Sequence, residues 1–148
     1  MTPTDAPSSL RTRHLFNERY VLVGRRNHPR LRNEITPEQY ADLERVIISL
    51  RGGDFVSSVD SSLATLRLRR NVVLSASSFL LIPDILARSN VVALLPERLV
   101  HNRTDKLKVI ESPFPVEGFP VGMVLHERSH GHSGHRWLRE AIVALVNP

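Results

Sequence analysis

From Tyr20 onward, short runs of β-forming apolar residues alternate with stretches in which apolar residues recur every three or four positions. That alternation leaves few architectures open. A strand buries one face at a period of two and a helix one stripe at a period of 3.6, and elements taking turns along a chain bury both by laying helices on a sheet. Tyr20 to Val23 reads as the first strand, ended by the Asn27, His28, Pro29 turn. Thr36 then stands as an N-cap with Pro37 at the first helical position and Gln39 completing a capping box, while Tyr40 and Leu43 face inward. Val46 to Leu50 is a buried strand stopped by Gly52 and Gly53. Phe55, Val59, Leu63 and Leu66 form the stripe of a helix whose wet side carries Ser57, Asp60, Ser61 and Arg67.

Asn71 to Ala76 is the next strand, and Ser77 and Ser78 cap a helix through Phe79, Ile82, Ile85 and Leu86. Pro83 lacks an N–H and is expected to end the first turn of that helix or bend it. Val91 to Leu95 and Leu107 to Ile110 are strands with a polar segment, Asn102 to Lys106, between them, and Val121 to His126 is the last strand. After the glycines at 131 and 134, an apolar helical stripe runs through Trp137, Leu138, Ala141, Ile142 and Leu145. Residues 1 to 10 read as a flexible lead, with order beginning near Leu15. The fold expected is α/β, with a mostly parallel sheet, helices on its faces and ligand sites beyond the C-terminal ends of the strands.

The 148 residues are 41% hydrophobic, enough for one globular core, and contain no apolar run of membrane-spanning length. The start is polar and Pro-rich, so neither a span nor a secretory signal is expected. Cysteine is absent, which removes disulfides, thiolate metal sites and a Cys nucleophile together and fits a cytoplasmic setting. The net charge is +5. Arginines are scattered, without the interleaved aromatic residues that stack bases, so a solvated basic face or attraction of acidic ligands accounts for them as well as a nucleic-acid partner does.

Three stretches, "LFNERYVLVGRRNHP" (15–29), "SFLLIPDILARSNVVALLPERL" (78–99) and "HRWLREAIVALV" (135–146), come in the order and at about the spacing of a known family. Together they make the chain resemble the C-terminal effector-binding domain of LysR-type bacterial transcription regulators, within the branch of nodulation and aromatic-degradation regulators. The resemblance implies a periplasmic-binding-protein-like, Rossmann-like fold in which two subdomains joined by crossing strands clasp a small effector. It implies that DNA is held by an N-terminal head that this chain lacks. On this reading residues 1–14 are a lead, and 15–148 comprise the whole second subdomain and the last helix of the first. The partners implied are a small acidic or aromatic effector and further copies of the chain, with no membrane and no cofactor.

Several residues are candidates for the effector site. A serine pair at a strand-to-helix turn aims hydroxyls and free N–H groups at an anion, so Ser77 and Ser78 are candidates, with Phe79 stacking on an aromatic ring. The plain alternative is an N-cap beside a core Phe. Arg45 and Ser49 flank the Val46 to Ile48 strand; Arg45 either holds a carboxylate or caps a helix end. His28, before Pro29, resembles the family's loop beside the cleft, or is simply part of a turn. Leu138, Ile142 and Leu145 form a stripe expected to bury itself against another copy. The histidines at 126, 130, 132 and 135 lack a carboxylate or Cys to complete a metal set, so no metal is expected. No nucleophile elbow, paired acids or phosphate loop is recognisable, and the chain reads as a sensor, not an enzyme. An oligomerisation fragment without ligand competence, or a basic nucleic-acid-binding module, are the other readings.

Overall fold

The computed structural model describes residues 9–49, 58–69 and 71–147; Leu50, Gly52, Gly53, Phe55, Ser57 and the first eight residues of the expected lead lie outside them. The chain divides into two compact units, one made of residues 1–18 and 118–148, the other of residues 19–117.

In the first unit, β1 (Leu10–Glu18) pairs antiparallel with β7 (Phe119–His126), with a register shift between His14 and Phe16. This corrects the expected lead: residues 10–14 are strand. Helix α5 (Ser133–Val146) follows, its last turn tied back where the Asn147 side chain donates to the Leu15 carbonyl at 3.4 Å.

The second unit is the alternating part. Its strands are β2 (Tyr20–Arg25), β3 (Glu44–Ile48), β4 (Asn71–Ala76), β5 (Ala93–Pro96) and β6 (Leu107–Ile110). β3 pairs parallel with β4, and β2 lies antiparallel between β5 and β6. A single parallel bridge between Arg45 and Val92 connects the two blocks, with Val46 N–H donating to Val92 O and Val92 N–H to Glu44 O, both at 2.9 Å. The lateral order is therefore β4-β3-β5-β2-β6, with four of the five described strands running one way and β2 against them. Leu22, Val92, Leu95 and Leu86 are fully buried, and the core divides into two clusters because β3 and β5 are apolar on both faces.

Helix α1 (Pro37–Ala41) starts as its sequence dictates: Thr36 Oγ1 accepts from Gln39 N–H at 3.2 Å and Gln39 Oε1 accepts from Thr36 N–H at 2.9 Å. Helix α2 (Ser58–Thr65) buries Val59 and Leu63, but it stops before Leu66, which is exposed. There Arg67 takes φ 56°, Leu68 N–H bonds Leu63 O and Arg67 N–H bonds Ala64 O, a Schellman turn built without glycine. Pro83 does interrupt the next helix. A 3-10 turn (Phe79–Leu81) precedes α3 (Ile82–Ala87), and Pro83 sits in the first turn of α3, where its missing N–H costs no bond. A four-residue helix, α4 (Glu97–Val100), was not foreseen after Pro96.

A hollow at the strand-order switch

In the second unit, β3 leads through α2 to β4 on one side, whereas β4 leads through α3 to β5 on the other. The crossovers part between β3 and β5, and beyond the C-terminal ends of such strands a crevice forms because the connections turn away from one another. A hollow of about 150 Å³ lies along this β3/β5 seam, lined by Val46, Ile47 and Ile48 of β3, by Val92, Ala93 and Leu94, and by Tyr20, Tyr40, Arg45, Val59, Phe79 and Val116.

Of the expected site residues, two line this hollow. Phe79 is half-buried against the core cluster of Val46, Ile82 and Leu86 and forms part of the lining. Arg45 lines it too, in a different role from a carboxylate holder. It is buried, and its guanidinium donates to the carbonyls of Tyr40 and Ala41 (3.3 Å) in the last turn of α1 and of Leu43 (3.0 Å) just past it, and stacks 3.9 Å above the Tyr40 ring. The Tyr40 and Ala41 carbonyls lie at the negative end of the helix, where a cation is favoured, and the Tyr40 carbonyl also accepts from Leu43 N–H at 3.1 Å. Tyr40 packs edge-on against Phe114 with ring centres 4.8 Å apart, so Arg45 is a strut for the wall of the hollow.

Ser49, Ser77 and Ser78 lie at the same C-terminal edge, outside the lining. Ser49 is buried and its N–H bonds Ala76 O at 2.9 Å, closing the β3–β4 pair. Ser78 Oγ accepts from Leu80 N–H at 3.3 Å as the N-cap of the 3-10 turn, which leaves its hydroxyl hydrogen to donate elsewhere, and Ser77 is exposed.

His28 stands apart from the hollow and fits the second of its two readings, that of a turn residue. It is buried near the opposite edge of the sheet, where β3 and β4 begin, against Asp42, Glu44, Asn71 and Asn90. Its Nδ1 accepts from the N–H groups of Arg30 (3.1 Å) and Leu31 (3.0 Å), so the proton sits on Nε2, which donates to Asn90 O at 2.7 Å. Burial, reinforced by the Arg25 and Arg30 charges, pushes this imidazole below its ordinary 6.5 in spite of the Asn90 bond. Both nitrogens are used, and His28 is a turn-former held away from the hollow.

Sequence reasoning missed Tyr20, Tyr40, Val92 and Val116 as lining residues. Only the lateral order of the strands brings them together, and that order is not local. Among the described residues no group of three or more His, Asp or Glu stands close enough to hold a metal ion, and no helix is long and apolar enough to cross a membrane.

The family model for the LysR substrate binding domain matches residues 1–146. The transcriptional regulator SyrM of Rhizobium meliloti (strain 1021) is 32% identical over 144 residues, covering 96% of this chain and 44% of SyrM. The chain spans less than half the length of the curated relatives it matches. The regulatory domain of MexT, a transcriptional activator in Pseudomonas aeruginosa, superposes with a TM-score of 0.73 at 20% identity, over 95% of this chain and 68% of that one. The effector-binding domain of QuiR in complex with shikimate gives 0.65 at 13% identity, over 97% and 68%. A doubly flanked sheet with its crevice at the order switch, matched nearly end to end by one family model, establishes that this chain belongs to the LysR substrate-binding domain family.

Proposed function

We propose that this chain is the ligand-sensing part of a LysR-type bacterial transcription regulator, acting in the cytoplasm, and that it binds a small carboxylate or aromatic effector and catalyses nothing. The observation that carries the reading is the apolar hollow at the strand-order switch, with Phe79 in its wall and the Ser77 and Ser78 hydroxyls on the same edge of the sheet. A ring fits against Phe79, and an acidic group at the edge meets hydroxyl donors at the start of the 3-10 turn. Shikimate in QuiR, a carboxylate on the same fold, is consistent with that chemistry. Effector binding then shifts the balance between conformations of the whole regulator, whose DNA contacts lie in another part of it. The second unit is read as one complete subdomain and the first unit as the strands and terminal helix of another.

The test is thermal unfolding with and without millimolar shikimate and benzoate, repeated on Ser78→Ala and Phe79→Ala. A ligand at about one hundred times its dissociation constant stabilises by about 2.7 kcal/mol. Saturable stabilisation lost in both variants supports the site; no shift with either acid, or a shift both variants retain, refutes it.

We also propose that α5 mediates self-association. Leu138 and Leu145 are exposed while Ile142 is half-buried, so the outer part of the expected stripe is uncovered. Sedimentation that finds only monomer at high concentration, with Leu138→Glu and Leu145→Glu indistinguishable from the parent, would remove this reading.

A further inference from the structure

At the edge of the sheet opposite the hollow, three corners of the second unit meet: the exit of β2 at Arg25, Arg26 and Asn27, the turn from α3 into β5 at Ala87 and Arg88, and the start of β6 at Lys106. They enclose a concavity of about 320 Å³ with four cationic side chains and one carboxylate, Asp84, whose nearest ion-pair contact is Arg103 at 3.7 Å.

The arginines of this corner, unlike three others, are held without a carboxylate, as the buried Arg45 also is. Arg11, Arg19 and Arg30 each meet a carboxylate, Arg19 meeting two. Arg25 and Arg26 are held by neutral acceptors. Arg25 Nε donates to Asn90 Oδ1 at 2.7 Å, and Arg26 Nη1 donates to the carbonyls of Thr104 (3.2 Å) and Asp105 (3.4 Å). Such bonds fix a guanidinium in place without cancelling its charge, and they leave the remaining N–H forks open. Arg88 and Lys106 add two more cations with no ion-pair partner among the described residues.

We propose that this corner is a second ligand site, distinct from the effector hollow, for a compact multivalent phosphate anion. Oriented guanidinium forks match phosphate oxygens two at a time, and four cations converging on one concavity suit a clustered anion better than the regularly spaced charges of a duplex. The site stands whether or not the hollow binds an effector, because no residue is common to the two.

The probe is inorganic pyrophosphate in metal-free buffer, followed by calorimetric titration and thermal unfolding of the full chain at fixed ionic strength, with sodium chloride as control. Arg88→Ala combined with Lys106→Ala removes two exposed side chains and is expected to weaken binding at least about tenfold while leaving the unfolding temperature without anion unchanged. A separate Arg26→Gln variant checks the fork and is expected to weaken binding in the same direction. The proposal is overturned by an absence of saturable heat, by equal stabilisation from chloride at the same ionic strength, by full affinity in the double variant, or by a DNA duplex that binds this corner where pyrophosphate does not.

Discussion

The two units of this chain are stabilised in different ways. In the second, both faces of the sheet are covered, and every buried hydrophobic residue among those described, from Val21 to Phe114, belongs to it. In the first, the two-stranded ribbon and α5 bury none; Trp137 is 70% and Leu145 79% exposed. Two-stranded ribbons are marginal alone in water, whereas a sheet packed on both sides has a core of its own. The same chain therefore holds a region specified by packing and a region specified mainly by backbone pairing.

The largest effect that sharpens this contrast is expected from Leu86→Ala, which opens a cavity at a fully buried position of the second unit and should cost about 2–5 kcal/mol in chemical denaturation. A loss below about 1 kcal/mol would show that the core there is loosely packed.

A smaller effect comes from His28. Its imidazole is held neutral in the folded chain, with its pKa below the 6.5 of the unfolded chain. As pH falls below about 6.5 the unfolded chain takes up a proton that the folded chain resists, so this contribution is complete above 6.5 and is lost progressively below it. Denaturation midpoints measured from pH 8 to pH 5 should fall on the acid side, and that limb should flatten in His28→Gln. An equal decline in the variant would assign the effect to other groups.

The smallest effect is expected from Leu138→Ala on the outer side of α5. Its side chain is already about half exposed, so the denaturation midpoint of dilute protein should shift by less than about 0.5 kcal/mol. A loss comparable to that of Leu86→Ala would erase the distinction between the units.

Much of the second unit was legible in the sequence because its signals are local. The Thr36–Gln39 box, the β3 run and the interruption at Pro83 each depend on residues within one or two turns of chain. What escaped depends on distant pairing. β1 carries Arg11 and Arg13 on a Pro-rich lead and becomes a strand only through β7, more than a hundred residues away. The reversed direction of β2 has no signature in Tyr20 to Arg25, since an apolar run reads the same for parallel and antiparallel neighbours. At the site, the Ser78 cap was readable from residue order. The burial of Arg45 was not, because its acceptors are carbonyls, which every residue type supplies. The two readings of His28 stayed open for a related reason: a strand followed by a turn does not say at which edge of the sheet the turn emerges.

The one-rung connection at Arg45 and Val92 makes the five-stranded layer two hydrogen-bonded panels joined at a seam. Along most of that seam, cohesion comes from side chains such as Val46 and Ala93, whose contacts are individually weak and are forfeited across a small gap. A molecule lodged in the hollow touches both panels and acts as a rivet across them. Its arrival should therefore be felt as slower amide exchange at Val46 and Val92, whose N–H groups form the rung, well before any strand is seen to move.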